Sequence, residues 1–209
     1  MASQPATVAG YRWVVTTMTT EEGSEDGVQA IMTDHRELDE IFTELEQQSP
    51  VSWEYRRQLV DHLIAGLVRH LAAEEQYAFP EVRERFPDGD AIADHHIGEH
   101  AALEHRMKEL ESLSPSDDRF EKLLGEVTRR ARDHFAEEER DVLPRLYRAC
   151  TQEQRDLLGG KMRLAKDGAP IHPHPAAPDK PPGNLIIDPG LGIIDKIRRT
   201  LTGGGSAAG

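Results

Sequence analysis

The chain has 209 residues, 37% of them hydrophobic, enough for one domain with a packed core plus extensions. Its formal net charge of −13 argues against nucleic acid or an anionic membrane as the main partner. The single cysteine, Cys150, excludes an intrachain disulfide and any zinc or iron–sulfur site built on several thiolates.

A solitary thiol fits a reducing compartment. The N-terminus lacks a basic start followed by a long apolar stretch. No run approaches the roughly 18 apolar residues of a transmembrane helix. The expectation is a cytoplasmic protein without stable membrane insertion.

Residues 1–26 are polar and rich in small side chains, apart from an apolar patch at 11–15, and read as an N-terminal arm. From 27 to 149 the apolar spacing is helical, in segments of about 27–48, 53–86, 91–113 and 117–149. The breaks carry turn signals: Ser49-Pro50, Pro87-Asp88-Gly89 and Ser114-Pro115-Ser116. Short connections between long helices predict an all-α, antiparallel up-down four-helix bundle. Thr151 and Gln154 form a capping-box pattern that starts a short fifth helix, with Gly159-Gly160 as its expected stop and the bundle domain spanning 27–160. Beyond it, 161–209 reads as a tail. Residues 168–190 are a Pro/Gly-rich linker, and Leu191, Ile194, Ile197 and Leu201 with Lys196, Arg198 and Arg199 predict a short amphipathic basic helix.

Ten histidines are many for this length, and eight lie between His35 and His134. A helix advances about 100° per residue, so each histidine can be assigned to the apolar or the wet face. His35 falls within the stripe Ile31, Leu38, Phe42, Leu45. His70 continues Leu59, Leu63, Leu67, with Glu74 one turn on. His134 continues Leu123, Val127, Ala131, with Glu138 one turn on. In the third helix His96 lies on the stripe of Leu103, Met107 and Leu110, and His100 lies at its edge. His62, His95 and His105 fall on the surface or rim. The segment His70-Leu-Ala-Ala-Glu74-Glu75 is repeated as His134-Phe-Ala-Glu-Glu138-Glu139, and each copy reaches a proline, Pro80 or Pro144, that should kink or end its helix. The repeat predicts a bundle with approximate two-fold symmetry.

Buried carboxylates without partners are costly. Glu74 and Glu138 among His35, His70, His96, His100 and His134 make a poor empty core and a good one around cations. Imidazole plus carboxylate, without thiolate, suits iron and admits zinc, copper or manganese. Seven ligands exceed one tetrahedral zinc and suit two six-coordinate ions. If both glutamates bridge, together with an oxide or hydroxide, the five histidines divide unequally and one ion keeps an open position. No histidine has a Glu three residues before it, unlike the ferritin-like di-iron sites, and there is no His-Glu-x-x-His motif.

The order of lone His35, His70-x-x-x-Glu74, His96-x-x-x-His100 and His134-x-x-x-Glu138 resembles hemerythrin and the hemerythrin-like, or HHE cation-binding, domains of bacteria. Asp34-His35-Arg36-Glu37-Leu38-Asp39 and Ala73-Glu74-Glu75-Gln76 look like actinobacterial members. The resemblance covers about residues 30–148. It implies a non-heme centre of two iron ions with histidine terminal ligands and bridging carboxylates. In oxygen-carrying hemerythrins the last motif is His-x-x-x-x-Asp; here it reads His134-x-x-x-Glu138, with Glu139 as the longer-spaced option. Many bacterial relatives have fewer histidines on the third helix, and some of them use an oxygen ligand such as tyrosine instead, a part open to Tyr77; His95 competes with His96.

The expected function is binding of O2, nitric oxide or peroxide at an open iron position, for sensing, carriage or oxidant response. The alternative is an enzyme that decomposes hydrogen peroxide or oxidises ferrous iron at the same centre. A third is a module whose fold depends on metal.

Overall fold

Apolar stripes at helical spacing account for the long elements. The computed structural model describes residues 26–47, 53–168 and His172, and all regular structure among them is helical. Helix α1 (Gly27–Gln47) buries Ile31, His35, Leu38, Phe42 and Leu45 along one face. Asp26 starts it: its Oδ1 accepts from the Val28 N–H at 2.9 Å, satisfying a donor that a helix N-terminus leaves open. Helix α2 (Trp53–Ala73) buries Val60, Leu63, Leu67 and His70. It is followed by α3 (Phe79–Arg85), α4 (Gly89–Ser112), α5 (Phe120–Glu137), α6 (Leu143–Ala149) and α7 (Gln152–Gly168).

The two prolines neither end nor sharply break their helices. Between α2 and α3, Glu74–Ala78 is a π-helical turn, and between α5 and α6, Glu138–Val142 is another. In each the backbone N–H of the fifth residue on, Phe79 or Leu143, donates to the carbonyl of the glutamate that opens the turn. The wide turn precedes a proline that has no N–H and whose ring would meet the carbonyl four residues back in a regular helix. The inserted residue also rotates the following face. The inward side resumes at buried Phe79 and Leu143, while Tyr77 is only partly buried and packs against apolar neighbours.

Helices α1, α2, α4 and α5 pack around a common interior, with α3 and α6 continuing α2 and α5. Residues 86–88 and 113–119 make short connections into α4 and α5. Two apolar clusters fill the interior. One contains Phe42, Leu67, Met107, Leu110, Phe120 and Val127; the other contains Ile31, Phe79, Val82, Leu146 and Met162. The buried histidines and glutamates form a polar layer in the same helices that carry both clusters.

Helix α7 starts with the expected capping box: Gln154 N–H donates to Thr151 Oγ1 at 3.3 Å, and Thr151 N–H donates to Gln154 Oε1 at 2.9 Å. It runs through Gly159-Gly160 to Gly168, because Leu158, Met162 and Ala165 continue a buried stripe against α1 and α2. Buried Arg155 ties it down, donating to Asp26 at 2.5 Å and to the Cys150 carbonyl at 2.7 Å. No helix among the described residues is long and apolar enough to cross a membrane. The N-terminal arm, the Pro/Gly-rich linker and the basic C-terminal helix expected from the sequence lie outside the described residues, except that His172 pairs with Glu111 of α4.

Candidate metal centre

Four helices each project a histidine to one level of the bundle, and the two π turns begin there with a glutamate. His35, His70, Glu74, His100, His134 and Glu138 are each 3% exposed or less. Ligand atoms of His35, His70, Glu74 and Glu138 lie within 4.8 Å of one another, and so do those of Glu74, His100 and His134. Glu74 belongs to both groups. His35 Nε2 is 3.4 Å from Glu138 Oε2, and His70 Nε2 is 3.4 Å from Glu74 Oε2. On the other side His100 Nε2 is 3.6 Å from Glu74 Oε2, and His134 Nε2 is 3.5 Å from Glu138 Oε2. The arrangement is two pairs of imidazoles flanking two carboxylates.

His96 is buried but belongs to neither group containing Glu74. Its Nδ1 lies 3.4 Å from His134 Nδ1 and 3.5 Å from Glu99 Oε2, on the outer side of the His134 ring. Its own ring lies against Phe79, nearly parallel, with centroids 5.7 Å apart. His95 and His105 are exposed, and His62 is half-buried.

The outer nitrogens of the four inward histidines are all met by carboxylates. Asp34 lies 3.3 Å from His70 Nδ1, Glu75 2.8 Å from His100 Nδ1, Glu99 3.2 Å from His134 Nδ1, and Glu139 2.9 Å from His35 Nδ1. The partners run in a circuit: α1 holds the histidine of α2, the turn after α2 holds that of α4, α4 holds that of α5, and the turn after α5 holds that of α1. A carboxylate at Nδ1 fixes the tautomer with the proton there and leaves the Nε2 lone pair facing inward. Glu139, the longer-spaced ligand option in the sequence, thus serves as the partner of His35.

Sequence reasoning missed Asp34, Glu75 and Glu99 in this role. The available signal was adjacency: each stands next to an inward histidine or glutamate, as in Asp34-His35, Glu74-Glu75 and Glu99-His100.

The interior is electrostatically incomplete without cations. His35 Nε2, His70 Nε2, both Glu74 oxygens and Glu138 Oε2 are buried without a hydrogen-bond partner. His100 Nε2 and His134 Nε2 face each other at 3.1 Å, and with both protons on the Nδ1 side neither has one to donate. Burial, then the charge of Glu138, pushes the Glu74 carboxyl well above its ordinary range. Burial would raise Glu138 too, but His134 and His35 hold it below the usual carboxylate range. Burial pushes His70 down to about 4 and His100 well below its usual value. Burial also opposes protonation of His35, yet the carboxylates of Glu138 and Glu139 beside it carry it upward. Orphaned acceptors in a buried layer are expensive. Two carboxylates among four oriented imidazole lone pairs form a nitrogen–oxygen donor set that fits first-row metal cations.

Comparison with known proteins agrees with this geometry. Residues 26–146 match the family model described as the hemerythrin HHE cation binding domain. An uncharacterized hemerythrin-like protein of Schizosaccharomyces pombe is 25% identical over 170 residues, covering 81% of this chain and 83% of that protein. A DNA nickase of a Nostoc species is 25% identical over 138 residues, covering 65% of this chain but only 38% of that protein. The crystal structure of a hemerythrin HHE cation binding domain-containing protein from Mycobacterium kansasii shares the fold, with a TM-score of 0.59 and 20% identity over 68% of this chain and 85% of that one. The helical bundle, its buried histidine–glutamate layer and the family match together place the chain in the hemerythrin HHE cation-binding family.

Proposed function

We propose that the buried layer holds two iron ions with a bridging oxide or hydroxide, and that the protein binds O2 or a related small oxidant there. His35 and His70 would hold one ion and His100 and His134 the other, with Glu74 and Glu138, which lie between the two histidine pairs, available to both. His96 stands behind His134 and outside this set of six. The observation that carries the reading is the inward-facing Nε2 and carboxylate oxygens left without partners, each imidazole being oriented from behind by an acid.

When bound, the iron pair supplies reversible one- and two-electron exchange with a small oxidant. The chain's own residues do the rest. Asp34, Glu75, Glu99 and Glu139 accept the Nδ1 protons and keep the histidines aimed. Phe135 stacks on His35 with centroids 4.1 Å apart, and Phe79 lies 5.4 Å from His100, so hydrocarbon closes parts of the layer against water. Four histidines and two carboxylates are fewer donors than two six-coordinate ions would take, so a pair held there would have room for a small ligand. A bundle interior closed on this scale suits a ligand such as O2, nitric oxide or peroxide better than a large substrate.

The test is to load the protein with Fe(II) without air, record its spectrum, and admit O2. A coloured adduct that disappears under vacuum and returns with O2 is the expected result. Rapid oxidation without an adduct, with sustained oxygen release from added peroxide, overturns carriage in favour of peroxide decomposition. Failure to retain iron overturns the centre itself.

A further inference from the structure

Ligands that are 3% exposed or less require a way in for their ions. The four acids behind the histidines lie nearer the surface than the ligands they orient. Asp34 and Glu75 are 12% and 17% exposed, and Asp34 is already held by Lys166 of α7 at 2.6 Å. Glu139 and Glu99 are more open, at 41% and 38%. Glu139 joins no group of three possible metal ligands among the described residues, whereas Glu99 joins two. Inward it meets His96 and His134. Outward it meets His95 of its own helix and Glu137 of α5.

The outward group has ligand chemistry and lacks the usual neutralising cation. His95 Nε2 lies 3.3 Å from Glu137 Oε1 and 3.8 Å from Glu99 Oε2, and His95 is 53% exposed. Other acids on α4 and α5 are paired with basic residues: Glu109 with Arg106, Glu111 with Lys108, Glu126 with Arg130 and Asp133 with Arg129. Glu99 and Glu137 have only histidines as ionic partners among the described residues, and nearby Arg140 is turned to Asp141. A second observation points the same way. His96, 1% exposed, directs Nδ1 toward the Glu99 carboxylate at 3.5 Å, and the other polar contact of that nitrogen among the described residues is His134 Nδ1 at 3.4 Å. Potential ligands therefore continue without a gap from His95 and Glu137 at the surface, through Glu99, to His134 of the buried layer.

We propose that His95, Glu99 and Glu137 form an outer docking site for a hydrated divalent first-row cation such as Fe(II), at the mouth of the route to the buried centre. One imidazole and two carboxylates, largely solvated, hold such an ion weakly and let it keep part of its water, as a transfer site requires. Glu99 serves both places, taking the ion outside while its contact with His134 marks the direction inward.

This inference rests on the buried layer holding metal, and the experiment separates the two. The probe for docking is Mn(II) added to the full chain after iron loading, read by the loss of the free-ion electron paramagnetic resonance signal. The probe for transfer is Fe(II) filling of the metal-free chain without air, followed by removing unbound iron at timed intervals and measuring the iron retained. Both are compared with the double variant His95→Ala, Glu137→Gln, whose side chains lie outside the buried layer and leave the core intact, as circular dichroism would verify. The wild type binds one Mn(II) beyond its buried complement; the variant binds it about tenfold or more weakly and fills severalfold more slowly, to the same final iron count and spectrum. Equal Mn(II) affinity, or equal filling rates, overturns the proposal. If instead the buried layer holds no metal, the wild type retains no iron yet still docks Mn(II) outside.

Discussion

Replacing Glu75 with Gln removes one negative charge and almost no volume from behind His100. The carboxylate sits 2.8 Å from His100 Nδ1, and Gln can still accept the same hydrogen bond through its amide oxygen. A hydrogen bond to a charged partner contributes roughly 1.5–3 kcal/mol, against roughly 0.5–1.5 kcal/mol for a neutral one. The difference is about 1–1.5 kcal/mol of imidazole basicity and orientation, and about 1.4 kcal/mol is a factor of ten in affinity. Glu75→Gln should therefore weaken metal retention by about fivefold to tenfold, and Glu75→Ala by more, within the roughly 10–100-fold range typical when a ligand's partner is lost. Glu139→Gln provides a scale. Its bond to His35 is of similar length, 2.9 Å, but the acid is 41% exposed against 17% for Glu75, so water screens its charge and the loss should be smaller. The assay is competition for the bound metal by a chelator of known affinity, with thermal melting of both metal-free variants as a control for folding. Equal retention by wild type, Glu75→Gln and Glu75→Ala would refute the claim that these acids orient metal-binding histidines.

Truncating either glutamate, Glu74→Ala or Glu138→Ala, should lower iron content well below about two per chain, because each lies between both histidine pairs; unchanged iron by elemental analysis in both variants contradicts a role for the two glutamates at both ions. Metal uptake should strengthen as pH rises. Burial lifts Glu74 above 4.5, and Glu138 and Glu139 lift His35 above 6.5 against its own burial, so both hold protons that a cation must displace, and loading falls as pH drops through those raised values. Proton release on metal addition near neutral pH, followed with an indicator dye, is the measurement, and absence of release refutes the sign. Gly89→Ala should destabilise the protein by about 1–3 kcal/mol in chemical denaturation, because an added Cβ would meet the Val82 carbonyl oxygen at 2.2 Å and Arg83 Cα at 2.8 Å. An unchanged midpoint would show that α3 and α4 are less tightly apposed than described.

Much of this protein is set by local pattern. The helical spacing of Ile31, Leu38, Phe42 and Leu45, and its equivalents on three further segments, predicts the bundle because one face must be buried and a helix has one period. The same arithmetic puts His35, His70, Glu74, His96, His134 and Glu138 inside, with His100 at the edge of its stripe, and all seven are buried. Seven groups that are individually commonplace become legible as a candidate site once four segments direct them toward a common interior, and the packing gathers six of them around Glu74 and Glu138.

Three features were decided only by tertiary structure. A regular helix through Glu74 and Glu138 would carry Tyr77, three residues beyond Glu74, onto the inner face. The π turns insert a residue at those points and deliver Phe79 and Leu143 inward instead. His96 lies on the apolar stripe as its spacing requires, but burial does not specify depth. Its place behind His134 depends on how closely α4 approaches α5. The outer acids were the least visible, because Asp34, Glu75, Glu99 and Glu139 each lie at a helix rim and act on the histidine of a neighbouring helix. A sequence states which face of its own helix a residue occupies. Which neighbour stands opposite at hydrogen-bonding distance is set by the packing of the helices against one another, and that is where the histidines of this centre acquire their orientation.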